Sequence, residues 1–186
     1  MKADFRVSFF CNMEKKLQSR LISFLAALCL FLAAIENAIP KPLPFLRLGL
    51  ANLPVILALY LLPRRKILLL VIFKILAQGV ISGTIFSYVF IFSACGSFSS
   101  AIAMMGTYSL SYKRNFASAV GISLFGSLTS TFFQLVLARF LLFGENIKFI
   151  APILLISGLI TGLALGVFAE FFMQKSKWFK EIQSEI

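Results

Sequence analysis

Six apolar stretches joined by short loops, with basic residues concentrated in every second loop, constrain this chain more than any other feature. Numbered from the N-terminus they are Leu21 to Ile39, Leu48 to Leu62, Ile67 to Ser82, Phe86 to Ser111, Phe116 to Phe143 and Phe149 to Gln174. Most approach the ~20 residues that a helix needs to cross about 30 Å of hydrocarbon. The expected fold is therefore all-α, a polytopic bundle of six transmembrane helices in the lipid bilayer. It divides the chain into a basic N-terminal segment (1–20), a membrane domain (21–174) and a basic tail (175–186).

The basic residues give this bundle a direction, because Lys and Arg near span ends stay on the cytoplasmic side. Of the 18, 13 fall in the N-terminal segment (Lys2, Arg6, Lys15, Lys16, Arg20), the second loop (Arg64, Arg65, Lys66), the fourth loop (Lys113, Arg114) and the tail (Lys175, Lys177, Lys180). The first, third and fifth loops hold only Lys41, Arg47 and Lys148, while Lys74 and Arg139 lie inside spans. Both termini are expected in the cytoplasm, and the protein in the cytoplasmic membrane.

A composition of 60% hydrophobic and 13% charged residues, with 22 Phe, does not describe a soluble domain of 186 residues. The net charge of +11 is dispersed over four segments rather than gathered on one face, which suits topology and anionic head groups and argues against nucleic acid as a partner. Cys11, Cys29 and Cys95 lack metal-ligand spacing and read as buried small residues or a free thiol.

A basic segment followed by an apolar run also describes a secretory signal, but the run continues to Ile39 with no convincing small-x-small cleavage site, so an uncleaved first helix is expected. Met13, before Glu14, Lys15 and Lys16, is an equally natural start. The first loop, Pro40-Lys41-Pro42-Leu43-Pro44, is stiffened by its prolines and should run extended over the outer face. Span two is short and contains Pro54, which suggests a kinked or re-entrant segment. The break between spans three and four falls either at Gly83-Thr84-Ile85-Phe86-Ser87 or nearer Ala94-Cys95-Gly96.

Small residues indicate where helices approach closely in lipid. Gly158, Gly162 and Gly166 share one face of span six, Gly121 and Gly126 accompany Ser118, Ser123 and Ser127 in span five, and span one pairs Ser23 with Ala27 and Cys29 with Ala33. These faces serve either packing within the bundle or docking of another membrane protein.

Polar residues inside the spans are the candidates for function, since a charge at mid-bilayer costs at least ~2.5 kcal/mol and calls for a partner or water. Glu36 and Asn37 lie near the outer end of span one; Arg47 and Asn52 open span two on the same side. Lys74 and Gln78 share a face of span three, with Lys74 roughly 10 Å from its cytoplasmic start, and Gln134 and Arg139 occupy the outer half of span five. For Lys74 and Arg139 the alternative is snorkelling to the interface. Together these eight suggest a small-molecule pocket open to the outside.

Intrinsic catalysis is not expected. There is no His, Asp4 is the only aspartate, no Cys/His metal set occurs, and no G-x-x-x-x-G-K-[ST] loop is present. No cofactor is expected either, and energy for transport would come from a partner or a gradient.

The run Glu36-Asn37-Ala38-Ile39-Pro40 with Pro42 and Pro44, followed by Arg47-Leu48-Gly49-Leu50-Ala51-Asn52, resembles the signature of the heptaprenyl diphosphate synthase component I family, also called the Gx transporter family. Gly83 to Ser87, Gly96 to Met105, Gly121-Ile122-Ser123 with Gln134, and Pro152 with Gly158 to Gly162 extend the resemblance over roughly residues 21 to 172. Such proteins are similar to the S components of energy-coupling factor (ECF) transporters, which capture a ligand outside and dock on a transmembrane T component driven by ATPases. The resemblance implies a substrate-binding subunit for a vitamin, a flavin or an isoprenoid or quinone precursor. The other reading is a non-catalytic accessory subunit of prenyl diphosphate or quinone synthesis, or a scaffold in a membrane redox assembly. Two departures stand out: Ser130-Thr131-Phe132-Phe133 replaces a histidine-asparagine pair of the family pattern, and Ser23-Ala27 with Cys29-Ala33 replaces the alanine-x-x-x-alanine docking motif.

Overall fold

The computed structural model describes residues 2–38, 49–112, 118–144 and 147–185, and within them every regular element is a helix. The elements are α1 (Lys2–Ala38), a 3₁₀ turn (Leu50–Asn52), α2 (Leu53–Leu61), α3 (Arg64–Ile81), α4 (Tyr88–Tyr112), α5 (Ala119–Ala138) continued by a π-turn (Arg139–Phe143), α6 (Ile147–Lys175) and α7 (Lys177–Glu185). Each expected apolar stretch coincides with a helix. The proline-rich first loop, including Lys41 and Arg47, lies outside the described residues, as does the fourth loop with Lys113 and Arg114.

Four stretches are long and apolar enough to cross a membrane: Gln18–Ala38, Tyr88–Leu110, Ala119–Leu141 and Ile147–Lys175. Their exposed faces are mainly apolar, with Phe31, Ile102, Phe132 and Ile160 among the side chains they carry. An apolar exterior of this extent is solvated by lipid, and helices suit it because they satisfy most backbone groups internally. The chain is a membrane protein.

The two remaining stretches depart from a simple span for different reasons. With its leading turn, α2 covers only Leu50–Leu61, roughly 18 Å at 1.5 Å per residue. It is buried on nearly all sides, from Leu53 through Leu59 and again at Leu61, so it forms the centre of the core rather than part of the lipid-facing wall. Pro54 does not kink it: the ring sits in the first turn, where its missing N–H would lack a helical partner anyway. α3 is 18 residues long but carries Arg64, Arg65, Lys66 and Lys74.

Loop chemistry explains the remaining turns. Only Leu62 and Pro63 separate α2 from α3, so the two helices are antiparallel neighbours. α3 ends in a Schellman motif: Gly83 adopts φ +62°, Thr84 N donates to Gly79 O at 3.0 Å and Gly83 N to Val80 O at 3.1 Å. The break between the third and fourth apolar stretches therefore lies at Gly83 to Ser87, and α4 passes through Ala94-Cys95-Gly96 without interruption. Ser118 caps α5 by accepting from Gly121 N at 3.4 Å.

The glycine faces pack inside the bundle. A Cβ on Gly158 would stand 2.4 Å from Thr131 Oγ1, one on Gly162 2.0 Å from Ser127 Oγ, and one on Gly166 2.6 Å from the Val120 Cα. Across the same α5–α6 seam Ser123 Oγ donates to Gly162 O at 2.8 Å. Cys29 and Ala33 are buried, the Cys29 thiol lying 3.6 Å from Ala51 O, whereas Ser23 and Ala27 are exposed. Six residues along α1 turn the helix by roughly 240°, so the two pairs proposed for docking occupy different faces, and the second pair packs α1 onto the core.

At the other end of the bundle Arg64 donates to Ser109 Oγ at 2.7 Å and Lys66 to Gln18 Oε1, tying α3 to α4 and α1. The basic tail is α7, which buries Phe179 and Ile182 against the core and packs Trp178 against Phe24, the ring centroids 5.2 Å apart and the planes tilted by 54°. The basic N-terminal segment is likewise continuous with the first apolar stretch, since α1 runs unbroken from Lys2.

Candidate functional site

One polar cavity of about 50 Å³ opens among α1, the 3₁₀ turn, α3, α4, α5 and α6. Each wall follows from helical spacing. α1 contributes Glu36, fully buried at 0% exposure; α3 contributes Lys74 and Gln78, four residues apart and each 5% exposed. The 3₁₀ turn brings in Asn52 after Gly49, whose φ of +74° starts the turn. Lys74 donates to Asn52 Oδ1, so its ammonium points into the protein and does not snorkel.

Small hydroxyl residues build the rest. Ser93 and Ser97 repeat at four-residue spacing on α4, while Ser127, Ser130, Thr131 and Gln134 form a continuous polar stripe on α5, with Thr161 facing them from α6. Ser127 donates to Leu124 O at 2.9 Å, Thr131 to Ser127 O at 3.0 Å and Thr161 to Ser157 O at 2.9 Å. Their hydroxyl hydrogens are thus engaged within their own helices, leaving oxygens that can accept from a guest. Ser93 Oγ, in a residue 2% exposed, has no hydrogen-bond partner among the described residues, a state that ordinarily marks a place for water or ligand.

Of the eight residues singled out in the sequence, Glu36, Asn52, Lys74, Gln78 and Gln134 line this cavity. Asn37 and Arg139 do not. Asn37 follows Glu36 by a 100° rotation that takes it to the exposed side of α1, and Arg139 is exposed at the start of the π-turn. Arg47 lies outside the described residues. Sequence reasoning missed Ser93, Ser97, Ser127, Ser130, Thr131 and Thr161 as wall residues. The signal was the i, i+3, i+4, i+7 recurrence of Ser127, Ser130, Thr131 and Gln134, a polar face on an otherwise apolar helix.

The model of the heptaprenyl diphosphate synthase component I family matches residues 25–172. The chain belongs to that family. The family match begins within α1, ends near the close of α6 and includes every described residue lining the cavity, while α7 lies beyond it. No curated protein and no solved structure matches the chain at a significant level.

Proposed function

We propose that this member of the family is the membrane-embedded, non-catalytic ligand-binding subunit of a small-molecule transporter, similar in role to an ECF S component. The observation that carries the reading is the polar cavity: an acid, a base, three amides and a row of hydroxyls gathered inside a lipid-facing bundle. Desolvating so many polar groups is costly unless they serve a guest. Six helices cross or enter the bilayer in this reading, with α2 as the short central one, and both termini lie in the cytoplasm of a cytoplasmic-membrane protein, as the 13 basic residues on one side favour.

The missing phosphate-binding loop makes a separate ATPase and a transmembrane partner part of the proposal. Purified protein is expected to hydrolyse no ATP, and ligand uptake in cells to depend on that ATPase. ATP hydrolysis by the isolated chain would refute the reading, and uptake that survives removal of every candidate ATPase would make the protein a secondary carrier instead. The family description favours a second reading, a non-catalytic accessory subunit of prenyl diphosphate synthesis. Stimulation of a soluble prenyl synthase by the purified protein, without ligand uptake, would select it.

A further inference from the structure

At about 50 Å³ the polar cavity holds only a few atoms, space for roughly three to five waters, far below the ~300–1,000 Å³ of pockets that enclose drug-sized ligands. A flavin or a comparable vitamin does not fit inside it. Beside it, however, runs a second cavity of about 370 Å³, a groove between α1, the start of α2 and α6. Leu32, Leu53, Ala164 and Phe168 make it apolar, and Ala164 and Phe168 are exposed on the lipid-facing side of α6. The two spaces share Thr161 and Leu165, so they adjoin along one turn of α6.

Charge narrows the guest further. Among the described residues the cavity wall pairs one acidic side chain, Glu36, with one basic one, Lys74, so these two charges balance and favour a head without net charge. The wall offers amides, hydroxyl oxygens and the unpartnered Ser93 Oγ to an uncharged oxygen-bearing head.

We infer that the site takes a single-chain amphiphile from the bilayer, its small uncharged hydrogen-bonding head in the polar cavity and its apolar chain in the α1–α2–α6 groove. The inference rests on the ligand-binding reading above and gives it a substrate class, a long-chain or isoprenoid alcohol or a chemically equivalent neutral lipid. Entry is lateral, between α1 and α6, and the chain contributes binding through burial of apolar surface in a fixed groove rather than in mobile lipid.

The test uses the full-length protein in lipid nanodiscs with a 16-carbon alcohol bearing a diazirine in its chain, and maps the cross-links by mass spectrometry. Labelling is expected to concentrate at Leu32, Leu53, Ala164 and Phe168. Excess farnesol should lower it at least fivefold, and farnesyl diphosphate should not. Ala164→Trp, which fills the groove from its lipid side, should lower it by a similar factor, and Gln134→Leu should weaken labelling by the alcohol but not by the corresponding headless alkane probe. Labelling spread evenly over all exposed apolar helix faces would show bulk lipid only and overturn the inference. Competition by the diphosphate equal to that of the alcohol would overturn the neutral head. Should Ala164→Trp fail to fold, the wild-type map and the two competitors still decide. None of these readouts involves an ATPase, so failure here is distinct from failure of the transport reading.

Discussion

Gly166→Ala tests whether the α5–α6 seam is held by backbone contact. The added Cβ would lie 2.6 Å from the Val120 Cα, 3.1 Å from Ser123 Cβ and 3.2 Å from Val120 O. Carbon atoms settle about 3.5–4.0 Å apart, so the helices must part by about 1 Å, and backbone cannot swing aside as a side chain can. A shift of that size lengthens the 2.8 Å bond from Ser123 to Gly162 O beyond hydrogen-bonding range. The loss of about 1 kcal/mol from that bond nearly cancels alanine's helix-propensity gain of about 1 kcal/mol. Overpacking then leaves a net destabilisation of roughly 1–3 kcal/mol. Gly121→Ala is the matched control on α5, since no heavy atom lies within 4 Å of its added Cβ; it should be neutral or stabilise by up to ~1 kcal/mol. Both variants can be compared by titrating SDS into mixed micelles and following far-UV helicity together with the fluorescence of Trp178, the only tryptophan, which reports α7 against Phe24. If Gly166→Ala shifts the midpoint in the same direction as Gly121→Ala, the seam is not closed at the backbone and the reasoning fails.

Asn52→Leu removes an acceptor of the buried Lys74 and should cost roughly 1.5–3 kcal/mol in the same titration; a change within 0.5 kcal/mol would mean this bond contributes little to stability. In a background lacking Cys11, Cys29 and Cys95, Phe86→Cys in the exposed turn before α4 should react with a membrane-impermeant maleimide on intact cells, and Arg65→Cys at the opposite end of α3 should not. Labelling at position 65 from outside would reverse the proposed orientation.

Much of the architecture was legible because lipid leaves a helix few options: length and hydropathy locate the helices. Gly83 was one of two breaks the sequence left open, and the fold selects it because a C-terminal αL position favours glycine. Less was legible in α2. Its apolar run looks the same whether lipid or protein surrounds it, and only the packing of the neighbouring helices reveals that it is the core.

The candidate site divides along the same line. From the sequence alone come the all-helical membrane class, the family, and the polar residues that an apolar chain keeps at a cost, among them Glu36, Lys74 and Gln78. Helical periodicity could also have placed Ser127, Ser130, Thr131 and Gln134 on one face of α5. Tertiary structure alone decided that these groups meet in one cavity, that Asn37 turns away from it, and that the cavity is small and adjoins an apolar groove at Thr161 and Leu165. The physical reason is that periodicity fixes a side chain's angle about its own helix axis, while the size and contents of a cavity depend on how far apart several axes stand, which the glycine contacts between α5 and α6 set only once the chain has folded.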